Sequence, residues 1–300
     1  MADPAAPFTD ALAFLGFGEA ARAFRATLAE VAPAAPVTAW DIKLTGADAP
    51  AMRAAIAGAG VAEAPTPAAL SEARWVFSAV TADQSLKALE PLLPALDAGV
   101  TIIDINSVSP GRKRATAAAV EGQGARYIDM AVMTPVHPRG HRAPVLVAGH
   151  GLETDTLARL EFDATEVGDA PGEATAIKMV RSTFIKGLEA IMVETLLAAE
   201  RSGCTDLILK SLAAHYPGLG WPGIASHIFE RTLSHGTRRA AEMHEVAVTL
   251  NELGLQGAIA TASAEIEALQ GAAGPPCNAG PDLAETLRRS LAARLRETAP

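Results

Sequence analysis

Short apolar runs alternate with Ala-rich amphipathic stretches through the first half of the chain. Residues 11–16 (ALAFLG) form an apolar run that stops at a glycine, and residues 37–41 (VTAWD), 75–80 (WVFSAV), 101–105 (TIIDI), 126–133 and 144–148 are further strand candidates. Between them, residues 20–32, 50–58, 84–96 and 110–122 read as helices. The third carries its prolines near its C-terminal end, and the fourth is entered through Ser109 as an N-cap. Strands alternating with helices of this length predict βαβ units and a parallel sheet. The pattern changes near Gly172. Residues 174–202 form one long helical stretch that ends at Gly203, suited to a left-handed cap. Beyond it everything reads as helix and loop, notably 224–253. A Gly/Pro-rich linker at 271–281 (GAAGPPCNAGP) precedes a final amphipathic helix at 282–298. The expectation is an α/β domain over 1–172 and an all-α domain over 173–300.

The first turn carries chemistry. Gly16-Phe17-Gly18-Glu19-Ala20-Ala21 fits G-x-G-x-x-A between a predicted strand and a predicted helix, and Asp41 ends the next strand. The first glycine permits the tight turn, the second lets backbone approach a pyrophosphate, and the small third residue allows close helix–strand packing. The helix N-terminus supplies N–H groups for the phosphates, and the Asp41 carboxylate accepts from an adenosine ribose. The α/β domain is therefore expected to be Rossmann-like and to bind a dinucleotide. Asp41 favours NAD because a carboxylate repels a 2′-phosphate; Lys43, two residues on, leaves NADP open. The expected cofactor-binding set is Gly16, Phe17, Gly18, Glu19, Ala20, Asp41, Lys43, Val80 at the end of the third strand, and Asn106 after the fourth.

The long helix has a second pattern. Ile177, Met179, Val180, Phe184, Ile185, Leu188, Ile191, Met192, Val193 and Leu196 surround most of its circumference, which predicts burial. Lys178, Ser182, Lys186 and Glu189 recur at intervals of four, four and three and line one face. Such a stripe must face water, a partner or a cavity, since an unpaired buried ammonium is costly. A lysine partly desolvated beside another cation has a lowered pKa, suited to acid/base work near neutral pH. Lys178 and Lys186 are about 12 Å apart along the helix, so only the one nearer a reacting centre can serve.

Composition narrows the classes. The 300 residues are 49% hydrophobic and 20% charged, an ordinary globular balance. A net charge of −9 without a long basic run disfavours nucleic-acid binding. No apolar run reaches a membrane span and no basic stretch precedes an apolar core at the N-terminus, so a soluble, cytoplasmic protein is expected. Cys204 and Cys277 lie far apart and read as free thiols. The scattered histidines offer no metal-ligand array. His137, Arg139, His141 and Arg142 flank a turn and read as a solvated loop.

Three segments together resemble the β-hydroxyacid dehydrogenase family, which includes hydroxyisobutyrate and phosphogluconate dehydrogenases. They are residues 14–21 (FLGFGEAA), residues 104–110 (DINSVSP), similar to the family's D-x-S-T-x-x-P, and residues 168–182 (GDAPGEATAIKMVRS), similar to its G-x-x-G-x-G/A-x-x-x-K-L-x-x-N. Residues 232–253 look like a subgroup with its own C-terminal helical domain. The resemblance implies an NAD(P)-dependent dehydrogenase acting on a small hydroxy acid, a sugar acid or its phosphate. In it Lys178 is the general acid/base and Ser107 stands near substrate and nicotinamide. Two departures are visible. The family's Asn is Ser182 here, and its substrate loop D-A-P-V-S-G-G is Asp129 to Pro135 (DMAVMTP), with Met133 and Pro135 replacing groups that would offer a serine hydroxyl and a glycine N–H. His235, Arg238 and Arg239 are an alternative anion anchor, Arg forks suiting carboxylate or phosphate; pairing of both arginines with Glu242 and Glu245 is the competing reading. The expected substrate-binding set is Ser107, Met133, Thr134, Ser182, Lys186 and Arg239. A homodimer through the helical domain is expected, the partner otherwise being a small anionic substrate. The alternatives are a catalytically silent dinucleotide-binding protein and a reductase of C=N substrates, in whose relatives a lysine at position 178 is unusual.

Overall fold

The computed structural model describes residues 7–274 and 282–297. Cys277, most of the predicted linker and Thr298 lie outside the described residues, as do the first six. The chain divides into two compact units, Met1–Lys178 and Met179–Pro300, with the division falling inside a helix.

The first unit is built on an eight-stranded sheet. In chain order its elements are β1 (Leu12–Leu15), α1 (Glu19–Val31), β2 (Val37–Trp40), α2 (Ala49–Gly58), β3 (Ala62–Glu63), β4 (Trp75–Ser78), β5 (Thr101–Asp104), α3 (Pro110–Glu121), β6 (Arg126–Val132), β7 (Val145–Ala148), α4 (Thr154–Arg159), β8 (Ala164–Gly168) and the start of α5 (Glu173–Arg201). The strand order is β3-β2-β1-β4-β5-β6-β7-β8, and only β6 and β7 pair antiparallel. Every residue of β1, β4 and β5 is buried, as a parallel sheet covered on both faces requires. Alternation sends Phe14, Phe77, Ile103 and Ile128 to one core, with Phe24 and Phe162. Leu15, Val76, Ile102 and Tyr127 go to the other, with Leu89 and Val120. The strand order reverses between β1 and β4, so the segments leaving those strands diverge and open a crevice at their C-terminal ends.

Residues 84–96 depart from the helical expectation: they form turns and a short 3₁₀ stretch at Leu93–Ala95. Pro91 and Pro94 lack the N–H groups a helix would need, and their rings clash with carbonyls one turn back, leaving too short a run to nucleate. Its leucines Leu89, Leu92 and Leu96 are buried all the same. The edge strands β3 and β8 and the six-residue α4 were not expected. β3 has two residues, and β8 (ATEVG) has no fully buried one, so neither has an apolar pattern.

The second unit is helical: the rest of α5, α6 (Thr205–His215), α7 (Gly223–Glu252), α8 (Ala258–Ala272) and α9 (Leu283–Glu297). Gly203 takes a left-handed conformation (φ +67°) after α5. α7 and α8 approach closely where Gly236 faces Gly271; a Cβ on Gly236 would collide with the Glu267 carbonyl. Met192, Val193, Leu196, Phe229 and Leu287 form one core, and Met179, Met243, Val246, Ala260 and Ala264 another.

The burial of α5 is the main correction, since its apolar circumference is not buried all round. Ser182, Lys186 and Glu189 are buried, at 8%, 7% and 6% exposure, whereas Ile177, Val180, Phe184, Ile185 and Ile191 are exposed. The stripe faces partners inside the unit, not water, because α7 and α8 bring matching charges to it. His141 is a second correction: it is buried rather than solvated. Arg142 pairs with Glu30 and Glu161, while His137 and Arg139 are exposed.

Candidate active site

The crevice begins at the first turn. Gly16 has φ +85°, and a Cβ there would stand 2.5 Å from the Ala79 carbonyl oxygen and 2.8 Å from Val80 Cγ1. Glycine is thus required both by the left-handed backbone and by the close approach of the segment leaving β4. At Gly18, by contrast, a Cβ would meet nothing within 4 Å, so this side of the turn is open. Gly18 is the N-cap of α1 and no side chain caps the helix, which leaves its first N–H groups to an incoming anion. Ala21 is fully buried, consistent with tight packing of α1 on the sheet. Glu19 is exposed, 4.0 Å from His137, and Ala20 is half-buried.

Asp41 holds the turn from the side. Its Oδ2 accepts from Phe17 N at 2.8 Å and its Oδ1 from Lys43 N at 2.9 Å. Each carboxylate oxygen retains a second lone pair for a ribose hydroxyl. Lys43 is exposed. Val80 N donates to Asn106 Oδ1 at 2.7 Å, and Asn106 Nδ2 donates to Ser78 Oγ at 3.0 Å, so Asn106 ties together the segments leaving β4 and β5. An open Gly18, an uncapped helix start and a carboxylate at the next strand end fit a dinucleotide, and this unit is an NAD(P)-binding domain.

Next to Asn106, Ser107 Oγ accepts a hydrogen bond from Lys178 Nζ at 2.7 Å. Seventy-one residues separate the two, and they meet because two buried aspartates anchor the segments that carry them. Asp104, at the end of β5, accepts from Asn106 N at 2.8 Å and from Tyr127 Oη at 2.6 Å. Asp129, in β6, accepts from Gly172 N at 3.1 Å, Thr175 N at 2.9 Å and Thr175 Oγ1 at 2.7 Å, and so caps the start of α5. Between the aspartates lies Lys113 of α3, fully buried, with Nζ 3.0 Å from Asp104 Oδ1 and 3.3 Å from Asp129 Oδ1. Burial and the two carboxylates push the Tyr127 phenol well above its ordinary value, so it stays protonated and donates.

Sequence reasoning missed Lys113, Tyr127 and Thr175. For Lys113 the available signal was that it shares one helical face with Ala117 and Val120, and all three are buried.

Met133 is half-buried and its N–H donates to the Pro144 carbonyl; Thr134 is exposed, its hydroxyl turned to the Pro135 carbonyl at 3.4 Å. In the helical unit, Lys186 pairs with Glu242, and Arg239 pairs with Glu189 and, at 3.2 Å, with Glu267. Arg238 pairs with Glu242 at 2.7 Å, as the surface-pairing alternative had it. Burial lowers the Lys186 pKa against the opposing pull of Glu242, and burial raises that of Glu267 against Arg239. The cationic charge of Lys186 and Arg239 is thus met by carboxylates of their own unit.

Residues 12–150 match the NAD binding domain of 6-phosphogluconate dehydrogenase, and residues 199–269 match a domain of unknown function, DUF1932. A conserved hypothetical protein from Sinorhizobium meliloti 1021 is 34% identical, with 96% of this chain and 97% of that chain covered and a TM-score of 0.74. Conserved protein MTH1747, noted for its structural similarity to 3-hydroxyacid dehydrogenases, is 28% identical over 87% of this chain and 98% of its own, with a TM-score of 0.66. Mycobacterium tuberculosis 3-hydroxyisobutyrate dehydrogenase, solved with L-serine, has the same fold at 20% identity, 94% and 99% coverage and a TM-score of 0.70. An uncharacterised 28.5 kDa protein of Methanothermus fervidus is 23% identical over 145 residues, so the chain spans about half (55%) of the length of that curated relative. The dinucleotide turn and the Asp104–Pro110 segment thus fall within a matched NAD-binding domain that is followed by a separately matched helical domain, and the chain belongs to the β-hydroxyacid dehydrogenase family, in a subgroup with its own C-terminal helical domain.

Proposed function

We propose that this protein is an NAD(P)-dependent dehydrogenase of a small hydroxy acid, with Lys178 as general acid/base. The observation that carries the reading is the 2.7 Å hydrogen bond between Lys178 Nζ and Ser107 Oγ, beside the Asn106 link to the cofactor crevice. A bound nicotinamide supplies the hydride acceptor or donor. Oxidation of an alcohol also releases a proton, and the neutral Lys178 amine takes it from the substrate hydroxyl; in reduction the ammonium returns it. Ser107 fixes the direction of Nζ and offers its hydroxyl to the same substrate oxygen. The exposed Thr134 hydroxyl is the polar group remaining in the altered substrate loop, and it contributes to holding the acid end. Lys186 and Arg239 are assigned to internal charge pairing rather than to substrate. Asp41 favours NAD over NADP, since its carboxylate would face a 2′-phosphate.

We also assign a homodimer. Ile177, Val180, Phe184 and Ile191 lie at helical spacing on one side of α5 and are 45–71% exposed. A second copy presents the same stripe, and a two-fold axis brings the two together.

The deciding experiment is a screen of hydroxy acids that follows NADH and NADPH formation, with Lys178→Met beside wild type. The expected result is turnover by wild type and loss of about three orders of magnitude in the variant, with NADH affinity unchanged. Equal turnover by the two proteins would refute the assignment.

A further inference from the structure

We propose that Lys113 is a positioning residue for this acid/base pair: through Asp104 and Asp129 it holds the loop of Ser107 and the first turn of α5, with Lys178, in register with each other. The proposal rests on reading Lys178 and Ser107 as the reacting pair.

The ammonium of Lys113 has three N–H donors and no acceptor. It stands 2.6 Å from the Asp104 carbonyl oxygen, 3.0 Å from Asp104 Oδ1 and 3.3 Å from Asp129 Oδ1, one partner for each donor. No donor is left for substrate, and the side chain has no exposed surface, so Lys113 cannot itself reach a reacting atom. What it joins is informative. Asp104 holds Asn106 N, and Ser107 follows in the chain. Asp129 holds Gly172 N and both Thr175 groups, and Lys178 stands one turn further along α5. The chain of contacts closes on itself where Lys178 meets Ser107. Two carboxylates, one ammonium and a protonated Tyr127 leave a charge of −1, which sits at the start of α5, where backbone N–H groups favour it. Without Lys113 two buried carboxylates would face each other across β5 and β6 and separate, carrying the loop and the helix start apart.

The test keeps that charge constant. In Lys113→Met with Asp104→Asn, the tie is lost but the net −1 remains. Competitive acetylation, read by mass spectrometry in the full-length protein, compares Lys178 with the exposed Lys43, Lys87 and Lys210. The expected result is that Lys178 labelling rises by about threefold or more relative to these, because a local tie protects it. NADH binding is measured beside it as a check on folding, its affinity free to shift because Asp104 also holds Asn106 at the cofactor crevice. With a substrate in hand, kcat falls about 10- to 100-fold while KM changes little, and Lys113→Arg recovers part of it. Labelling of Lys178 that tracks the control lysines overturns the proposal, whatever the turnover. Should the double variant fail to bind NADH, Lys113→Gln with Asp104→Asn, which keeps the net −1 and a polar side chain but not the ammonium, is labelled in the same way, with the same decision. If labelling rises as expected but Lys178→Met retains full turnover, the tie stands and the acid/base assignment is what fails.

Discussion

His141 offers a quantitative test of how tightly the first unit is packed. Its ring is fully buried, edge-on to Phe162 at 5.1 Å between centroids. Nε2 lies 2.7 Å from the Leu160 carbonyl oxygen, which can only accept, so Nε2 carries the proton; Nδ1, 2.6 Å from Thr27 Oγ1, then accepts from the hydroxyl. Burial is the largest influence on this imidazole and pushes its pKa from 6.5 down to about 4, against the carbonyl contact, which raises it. In the unfolded chain the ring titrates near 6.5. Between these values the unfolded state binds a proton that the folded state refuses, so stability is full above pH 6.5 and falls as the pH drops toward 4. At 1.36 kcal/mol per pKa unit, the loss between pH 7.5 and 5.0 is about 2 kcal/mol. Replacement by glutamine, His141→Gln, keeps an N–H for Leu160 and an oxygen for Thr27 but does not titrate. The assay is urea denaturation of both proteins at the two pH values, in a Trp221→Phe background so that emission reports Trp40 and Trp75 of the first unit. Contributions of other groups cancel in the double difference. Wild type should lose about 2 kcal/mol more than the variant on acidification; losses equal within about 0.5 kcal/mol would refute the assignment of a neutral, buried imidazole.

Three further outcomes are expected. Gly16→Ala places a Cβ against the Ala79 carbonyl in a left-handed backbone, so it should cost about 1–3 kcal/mol of stability in urea denaturation and weaken NADH binding at least tenfold by titration. Phe184→Glu should convert a dimer to a monomer at micromolar concentration in sedimentation equilibrium; a monomeric wild type would refute the dimer. Arg239→Met leaves Glu267 buried without its cation, and Glu189 with Arg231 at 3.5 Å in place of two arginines, and should destabilise the helical unit by about 3–5 kcal/mol, measured by Trp221 emission, with Glu267→Gln restoring part of that in the double variant.

Much of the first unit was legible because its strands are short apolar runs buried on both faces, and because Gly16 and Asp41 flank them at fixed offsets. Residues 84–96 misled because a leucine every three or four positions serves a turn-rich segment as well as a helix; the prolines decided the matter. The pairing of Ser107 with Lys178 was reached only through the family resemblance, since no periodicity links residues seventy-one apart. The stripe of α5 was read at the right spacing, with water, a partner or a cavity left open as what it faces; charged partners are what it meets. A helix pattern shows which residues share a face, but not which charges other helices will bring to it. Glu242 and Glu267 supply those charges, and as isolated residues they look like any surface carboxylate. His141 was misplaced for a related reason: its neighbours Arg139 and Arg142 are polar, and burial came from Thr27, Leu160 and Phe162, all distant in sequence.

The charge network of the helical unit also constrains how this sequence can diverge. Lys186 with Glu242, and Arg239 with Glu189 and Glu267, are worth little as pairs against an apolar replacement, yet each member is costly to lose alone. A lineage that changes one of them passes through a poorly folded intermediate unless its partner has already changed. These five positions should therefore substitute jointly among relatives, either as an intact charged set or as an apolar one, while the neighbouring exposed positions of α5 drift one at a time.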